Sequence, residues 1–309
     1  MNEKGPILVI LAAGMGSRYG GLKQMDKLGE NGETLLDYSV FDALRGGFKK
    51  IIFIIRRDIE NDFNNLVLTR ISKNAHCEIS FQEIDTFIPP DIAENAKKIN
   101  RTKPWGTAHA LICATDKIDA PFCVINADDF YGQEAFAKMA AYLSKEGSKN
   151  GAIAPYKLSQ TLSPLGTVAR GLCKIQDGYL TAVKELTSIH RNQQGVIVNK
   201  DETGKIQCLS ENDLASMNFW GFPHFILPHF KSYFENFLKI QGMEPKSECY
   251  LPLAVDYFIQ AGIIKIRALD VDSVWFGVTY KEDRNEVLKK ITELTQKGVY
   301  PAHLWQTTC

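Results

Sequence analysis

Four short apolar runs, at residues 7–11, 51–55, 79–82 and 122–126, alternate with candidate helices at 34–45, 58–68 and 107–114, and this alternation constrains the fold most. Strands joined by helical crossovers build a mostly parallel, doubly wound sheet, an α/β architecture. Ligands of such sheets sit beyond the carboxyl ends of the strands. The loops after Leu11 and Asn126 both fall there.

Beyond residue 150 the pattern loosens. Short β-like pieces at 152–156, 167–174, 180–184 and 217–222, separated by turns such as Asp177-Gly178, read as a smaller lid sheet over the first half. The polar stretch 192–204 reads as a surface hairpin or loop. Apolar residues recur at helical spacing over 225–238, the stripe of a core-facing helix. A strand at 263–268 and an amphipathic helix at 282–294 follow, ahead of Tyr300-Pro301. The division expected is an α/β domain over 1–270 with a C-terminal helical extension over 271–309 packed on it.

The 36 basic residues balance the 36 acidic ones. With no net charge there is no global field to attract nucleic acid or an anionic membrane, so any phosphate affinity must be local. Seven cysteines without a Cys-x-x-Cys pair read as free thiols of a reducing cytoplasm. No apolar run approaches the ~20 residues needed to span a bilayer, and the N-terminus has no signal-peptide pattern. Cytoplasmic location is the expectation.

A local phosphate site has an obvious candidate in Leu11-Ala12-Ala13-Gly14-Met15-Gly16-Ser17-Arg18, followed by Lys23. Glycines after a strand let backbone approach a ligand and expose N–H donors. Arg18 and Lys23 add fixed positive charge, which suits a polyphosphate. A dinucleotide fingerprint fails at its third glycine, where Tyr19 stands. A P-loop counted from Gly16 reaches Gly21 and then meets Leu22-Lys23 instead of Lys followed by Ser or Thr. Asp128-Asp129, directly after the fourth run, offers carboxylates for a hard cation such as Mg²⁺, which takes one or two of them plus phosphate oxygens. A helix cap before Gln133 is the other use for either one.

The glycine loop resembles the L-A-A-G-x-G-[ST]-R-x(n)-K loop of the sugar-1-phosphate nucleotidylyltransferases. The resemblance implies a nucleotide-diphospho-sugar transferase fold of Rossmann-like type and a reaction in which a nucleoside triphosphate and a sugar 1-phosphate yield a nucleotide sugar and pyrophosphate. It makes Arg18, Lys23 and Asp128 the catalytic candidates, with Asp128 holding Mg²⁺ as in the family's G-D-x(n)-Y-G motif, although Ala127 replaces the glycine. Leu11, Ala12, Ala13, Gly14, Gly16 and Ser17 would cradle the triphosphate, and Gly106-Thr107 would hold the nucleoside. Glu185 and Asn218 would bind sugar hydroxyls.

Two positions depart from the family pattern. Leu186 follows Glu185 where the family has a basic residue for the sugar phosphate, leaving Lys184 and Arg191 as candidate substitutes. Gly277 stands in Val274-Trp275-Phe276-Gly277 where the family has its second metal-binding aspartate, leaving Asp270, Asp272 or Asp128 alone. Trp105 either stacks on a base or covers its turn, and His109 is given no catalytic role. The partners expected are a nucleoside triphosphate and a sugar 1-phosphate, with homo-oligomerisation open. The alternatives are a phosphocholine cytidylyltransferase, using Trp105, Tyr131, Phe219 and Trp220 around the choline cation, and a non-catalytic nucleotide-sugar sensor.

Overall fold

A computed structural model of the protein describes residues 5–14, 26–29, 31–145, 149–164, 166–201, 203–277 and 283–305. The first half runs β1 (Ile7–Leu11), α1 (Leu35–Gly46), β2 (Lys50–Ile55), α2 (Glu60–Phe63), α3 (Thr69–Ile71), β3 (Cys77–Phe81), α4 (Pro90–Lys98), α5 (Thr107–Ile112), β4 (Phe122–Asn126), β5 (Asp129–Phe130) and α6 (Gln133–Leu143). The second half runs β6 (Gly151–Ile153), β7 (Tyr156–Lys157), β8 (Val168–Gln176), β9 (Tyr179–Arg191), β10 (Ile197–Lys200), β11 (Ile206–Cys208), β12 (Leu214–Ser216) and β13 (Trp220–Phe222). It closes with α7 (Leu227–Gln241), α8 (Leu251–Gln260), β14 (Ile266–Ala268), β15 (Phe276–Gly277) and α9 (Asp283–Gln296).

Strands β3, β2, β1 and β4 pair in parallel, with Leu11 in register with Ile54 on one side and Asn126 on the other. Alternate residues of β1 feed two separate cores: Ile7 and Val9 join one, Leu8 and Ile10 the other. A sheet buried on both faces requires the continuous apolar run seen in the sequence. The second-half strands extend the same sheet, largely antiparallel, from β13 beside β4 to β7 at the far edge. A separate small sheet pairs β15 with β5.

Local chemistry sets the element boundaries. Helix α1 starts at a capping box in which Thr34 N–H donates to Asp37 Oδ2 at 2.7 Å and the Thr34 hydroxyl receives Asp37 N–H. The helix expected at 58–68 is broken into a 3₁₀ turn, α2, a π turn at Asn64–Leu68 and α3. The Thr69 hydroxyl donates to Asn64 O at 2.7 Å, five residues back, where the wider turn brings that carbonyl within reach. The strand expected at 217–222 is interrupted at Asn218, whose φ of 60° ends β12 and restarts the chain as β13. The C-terminal segment is anchored on α1: Tyr300 donates to Asp42 Oδ2 and the Trp305 indole to Asp37 Oδ1, both at 2.7 Å. Among the described residues no helix is long and apolar enough to cross a membrane.

Candidate functional site

The main-chain N–H of Ala127 donates to Leu11 O at 3.1 Å, so the turns leaving β1 and β4 run side by side. A cavity of about 590 Å³ opens over them. Leu11, Ala13 and Gly14 line it from the first turn, Asn126 and Asp128 from the second. Ala12 sits behind the surface with its N–H bonded to Ile54 O at 2.8 Å. Met15, Gly16, Ser17, Arg18 and Lys23 lie outside the described residues.

The side of the cavity formed by the start of α5 carries Gly106 and Thr107. Gly106 has φ 99°, and a Cβ there would stand 2.5 Å from Cys249 O, so this turn admits only glycine. Its carbonyl accepts from Gln82 Nε2 at 3.0 Å, and the Thr107 hydroxyl accepts from Leu251 N–H at 2.8 Å. Trp105 covers the turn: it is fully buried, its indole donates to Ile84 O at 2.8 Å, and the Arg101 guanidinium lies 3.6 Å from its ring centre. His109 is a core residue bonded to Thr86 O, and burial lowers its pKa to about 4.

Glu185 and Asn218 line the same cavity. The left-handed backbone of Asn218 is a conformation that asparagine tolerates better than most side chains. Its Nδ2 donates to Asn126 Oδ1 at 3.3 Å, and Asn126 Nδ2 donates to Asp129 Oδ2 at 2.9 Å. The Tyr131 hydroxyl lies 3.2 Å from the same Asp129 oxygen and accepts from Asn126 N–H at 3.0 Å. This network ties Asn218 to the acidic pair. Burial, reinforced by the adjacent Asp128 charge, pushes the Asp129 carboxyl up to about 7. Burial also raises Glu185, opposed by the nearby Arg170 guanidinium.

Lys184 does not line the cavity; alternation along β9 sends it to the other face from Glu185, and it is exposed. Arg191 is held at the surface by Glu211. The exposed Asp270 and Asp272 stay outside the cavity as well. Gly277 is in register with Asp129 across the small sheet, and a Cβ at 277 would stand 2.4 Å from Asp129 Oδ1. The Asp129 carboxylate therefore fills the space that an aspartate at 277 would need. Among the described residues no group of three or more His, Cys, Asp or Glu side chains gathers into a metal cage. Asp128, which lines the cavity in front of the buried Asp129, fits a hard cation that completes its shell with phosphate oxygens and water.

Arg170, Gln82, Lys103, Glu248 and Tyr250 line the cavity without having been singled out in the sequence. Lys103 and Glu248 form an ion pair at 3.2 Å. Only the proximity of Lys103 to the Gly106 turn in sequence could have suggested it.

Gly14 and Asp128 thus line one cavity beyond the carboxyl ends of β1 and β4, where α/β sheets of this kind bind their ligands. The chain belongs to the nucleotidyl transferase family, whose model matches residues 7–185. No curated protein matches it in sequence. Among solved structures, it is similar to the inositol-1-phosphate CTP transferase from T. maritima, at TM-score 0.61 and 12% identity over 94% of this chain and 97% of that one. A putative glucose-1-phosphate thymidylyltransferase from Bacillus anthracis in complex with a sucrose is similar at TM-score 0.62 and 11% identity, over 92% and 94%. A UDP-glucose pyrophosphorylase complexed with UDP-glucose is similar at TM-score 0.59 and 15% identity, over 94% and 99%. At these identities the likeness is one of fold. The protein is a nucleotidyltransferase.

Proposed function

We propose that the enzyme joins a nucleoside triphosphate to a sugar 1-phosphate with Mg²⁺, giving a nucleotide sugar and pyrophosphate. The observation that carries this reading is the convergence of Gly14, Gly106, Asp128, Glu185 and Asn218 on one cavity. A phosphate oxygen of the acceptor attacks the α-phosphorus, the new P–O bond forms as the bond to the β-phosphate oxygen breaks, and pyrophosphate leaves. No protein nucleophile is needed. The protein positions two anions against their repulsion and neutralises the charge that shifts onto the leaving group.

In this assignment Gly14 and the residues after it present amides to the triphosphate, Arg18 grips the departing pyrophosphate and Lys23 the α-phosphate. Gly106 and Thr107 hold the nucleoside, and Glu185 and Asn218 accept sugar hydroxyls. Asp128, with Asp129 beside it, would hold the divalent ion, which when bound withdraws charge from phosphate oxygens.

A choline acceptor is less well supported, because Trp105, Tyr131, Phe219 and Trp220 are all buried within the cores and do not line the cavity. We assign the enzyme to a reducing cytoplasm, a reading supported by the free state of Cys77, Cys113, Cys123, Cys173, Cys208 and Cys249. The test is pyrophosphate release with Mg²⁺, screening the common nucleoside triphosphates against sugar 1-phosphates and phosphocholine. Release should require both substrates and be greatest with a sugar 1-phosphate. Background release with every pair refutes the reading, and a preference for phosphocholine transfers it to the choline branch.

A further inference from the structure

Building on that reading, we infer that Arg170 binds the phosphate of the acceptor, supplying from β8 the cation that β9 lacks. Leu186, the residue after Glu185, is 4% exposed and packs with Leu158, Val168 and Ile189. Its partner across the ladder is Arg170, just as Gly171 is the partner of Glu185. Directly opposed residues of an antiparallel pair project to the same face. The guanidinium therefore rises from the rung where a basic residue at 186 would have stood.

The pairing depends on an irregularity. Gln176 pairs with Tyr179 and Ile175 with Leu180, but Lys174 pairs with Ala182, so Thr181 is an extra residue bulged out of β9. Without that bulge Arg170 would oppose Glu185 and its side chain would change faces relative to β9. The bulge sets Arg170 on the face of Leu186, opposite to that of Glu185, and its long side chain still reaches the cavity that Glu185 lines.

The guanidinium is seated but not used up. Nε and Nη2 donate to Thr161 O at 3.1 and 2.6 Å, and Nη1 donates to Ala169 O at 2.8 Å. The carbon at its centre lies 5.2 Å from the middle of the Trp275 ring. These three bonds among the described residues leave one N–H on each terminal nitrogen of a five-donor group, a fork that matches two phosphate oxygens.

The charges of the described cavity lining favour such a group. Asp128, Glu185 and Glu248 line it, and a phosphate brought among them is repelled. Of the two described cations on its wall, Lys103 is engaged by Glu248, whereas Arg170 lies in the field of Asp128, Asp129 and Glu185. A phosphate held by Arg170 thus stands near both the acidic pair, where a metal-bound triphosphate would lie, and Glu185, where the rest of the acceptor would lie.

The test compares the full-length protein with Arg170→Met and Arg170→Lys. Calorimetric binding is measured for glucose 1-phosphate, mannose 1-phosphate and inositol 1-phosphate, each beside its unphosphorylated parent, and for UTP. Pyrophosphate release then separates KM for the acceptor from KM for the triphosphate. Losing a charge-assisted phosphate contact should weaken the phosphorylated probe roughly 10- to 100-fold in Arg170→Met. Binding of the parent compound and of UTP should be unchanged, and Arg170→Lys should recover part of the loss. Equal losses for acceptor and triphosphate, or none for the acceptor, overturn the inference while leaving the transferase reading intact. If the wild type releases no pyrophosphate, the transferase reading fails, and probe binding alone decides the role of Arg170. A phosphate-dependent loss in Arg170→Met then upholds it, and unchanged binding, or no binding of any probe by the wild type, overturns it.

Discussion

Placing a methyl group at Gly277 tests whether Asp129 has taken the space of the missing carboxylate. A Cβ there would meet Asp129 Oδ1 at 2.4 Å, Trp275 Cζ2 at 3.0 Å and Asp128 O at 3.3 Å. Asp129 cannot step aside cheaply, because it is buried and its other oxygen is bonded by Asn126. Overpacking of this kind costs about 1–3 kcal/mol. For a chain of 309 residues an unfolding entropy of ~2.1 cal/mol/K per residue converts that to a drop in Tm of roughly 2–5 °C. Gly277→Ala should show that drop by calorimetry, and its pyrophosphate release should fall with it as the Asp129 carboxylate is displaced. Combining it with Asp129→Ala should relieve the overlap, so the double variant loses less than the sum of the singles by about 1–2 kcal/mol. A Gly277→Ala protein that melts and turns over like the wild type, or singles that simply add, refutes the argument that these two residues share one space.

Lys23→Ala should lose roughly 10²-fold in turnover with its melting temperature unchanged; unaltered turnover removes Lys23 from the mechanism. Asp128→Asn should abolish Mg²⁺-dependent release without unfolding the protein, as read by activity and circular dichroism. Gly106→Ala should destabilise by roughly 2–5 kcal/mol in denaturant titrations, because its left-handed φ of 99° and the Cys249 backbone both resist a side chain. Burial raises the Asp42 carboxyl from 3.8 to about 6, so the folded state binds a proton there that the unfolded chain has already released. Its contribution to stability is present below about pH 4 and fades as pH rises through 6. Asp42→Asn should therefore flatten part of the fall in Tm between pH 4 and 6, and an identical pH profile counts against the assignment.

The parallel, doubly covered sheet around β1 was legible because a strand buried on both faces must be apolar throughout, and Ile7 to Leu11 obeys that rule. Gly14 and Asp128 were legible because each follows a parallel strand, whereas Glu185 and Asn218 came from the family resemblance; all four line the cavity. Helix α8 escaped notice because its sequence, Leu-Pro-Leu-Ala-Val-Asp-Tyr-Phe-Ile-Gln, is apolar nearly all round, so its buried positions Leu251, Ala254, Val255 and Phe258 do not stand out from the exposed Leu253 and Tyr257. Arg170 escaped for a different reason. Counting outward from the Asp177-Gly178 turn sets it opposite Glu185, and only the extra residue at Thr181 carries it to Leu186. Bulges leave no reliable trace in periodicity, since they change the count by one without changing composition. The Asp129–Gly277 juxtaposition was hidden likewise, because it joins segments nearly 150 residues apart.

In both ladders the charged group stands on the strand opposite the position where a linear motif would look for it. Measured against the family motif that the sequence resembles, positions 186 and 277 therefore read as two losses. Compared by spatial neighbourhood, a guanidinium faces the first gap and a carboxylate faces the second. Surveys that retire apparently defective transferases on motif grounds should inspect the facing rung before doing so.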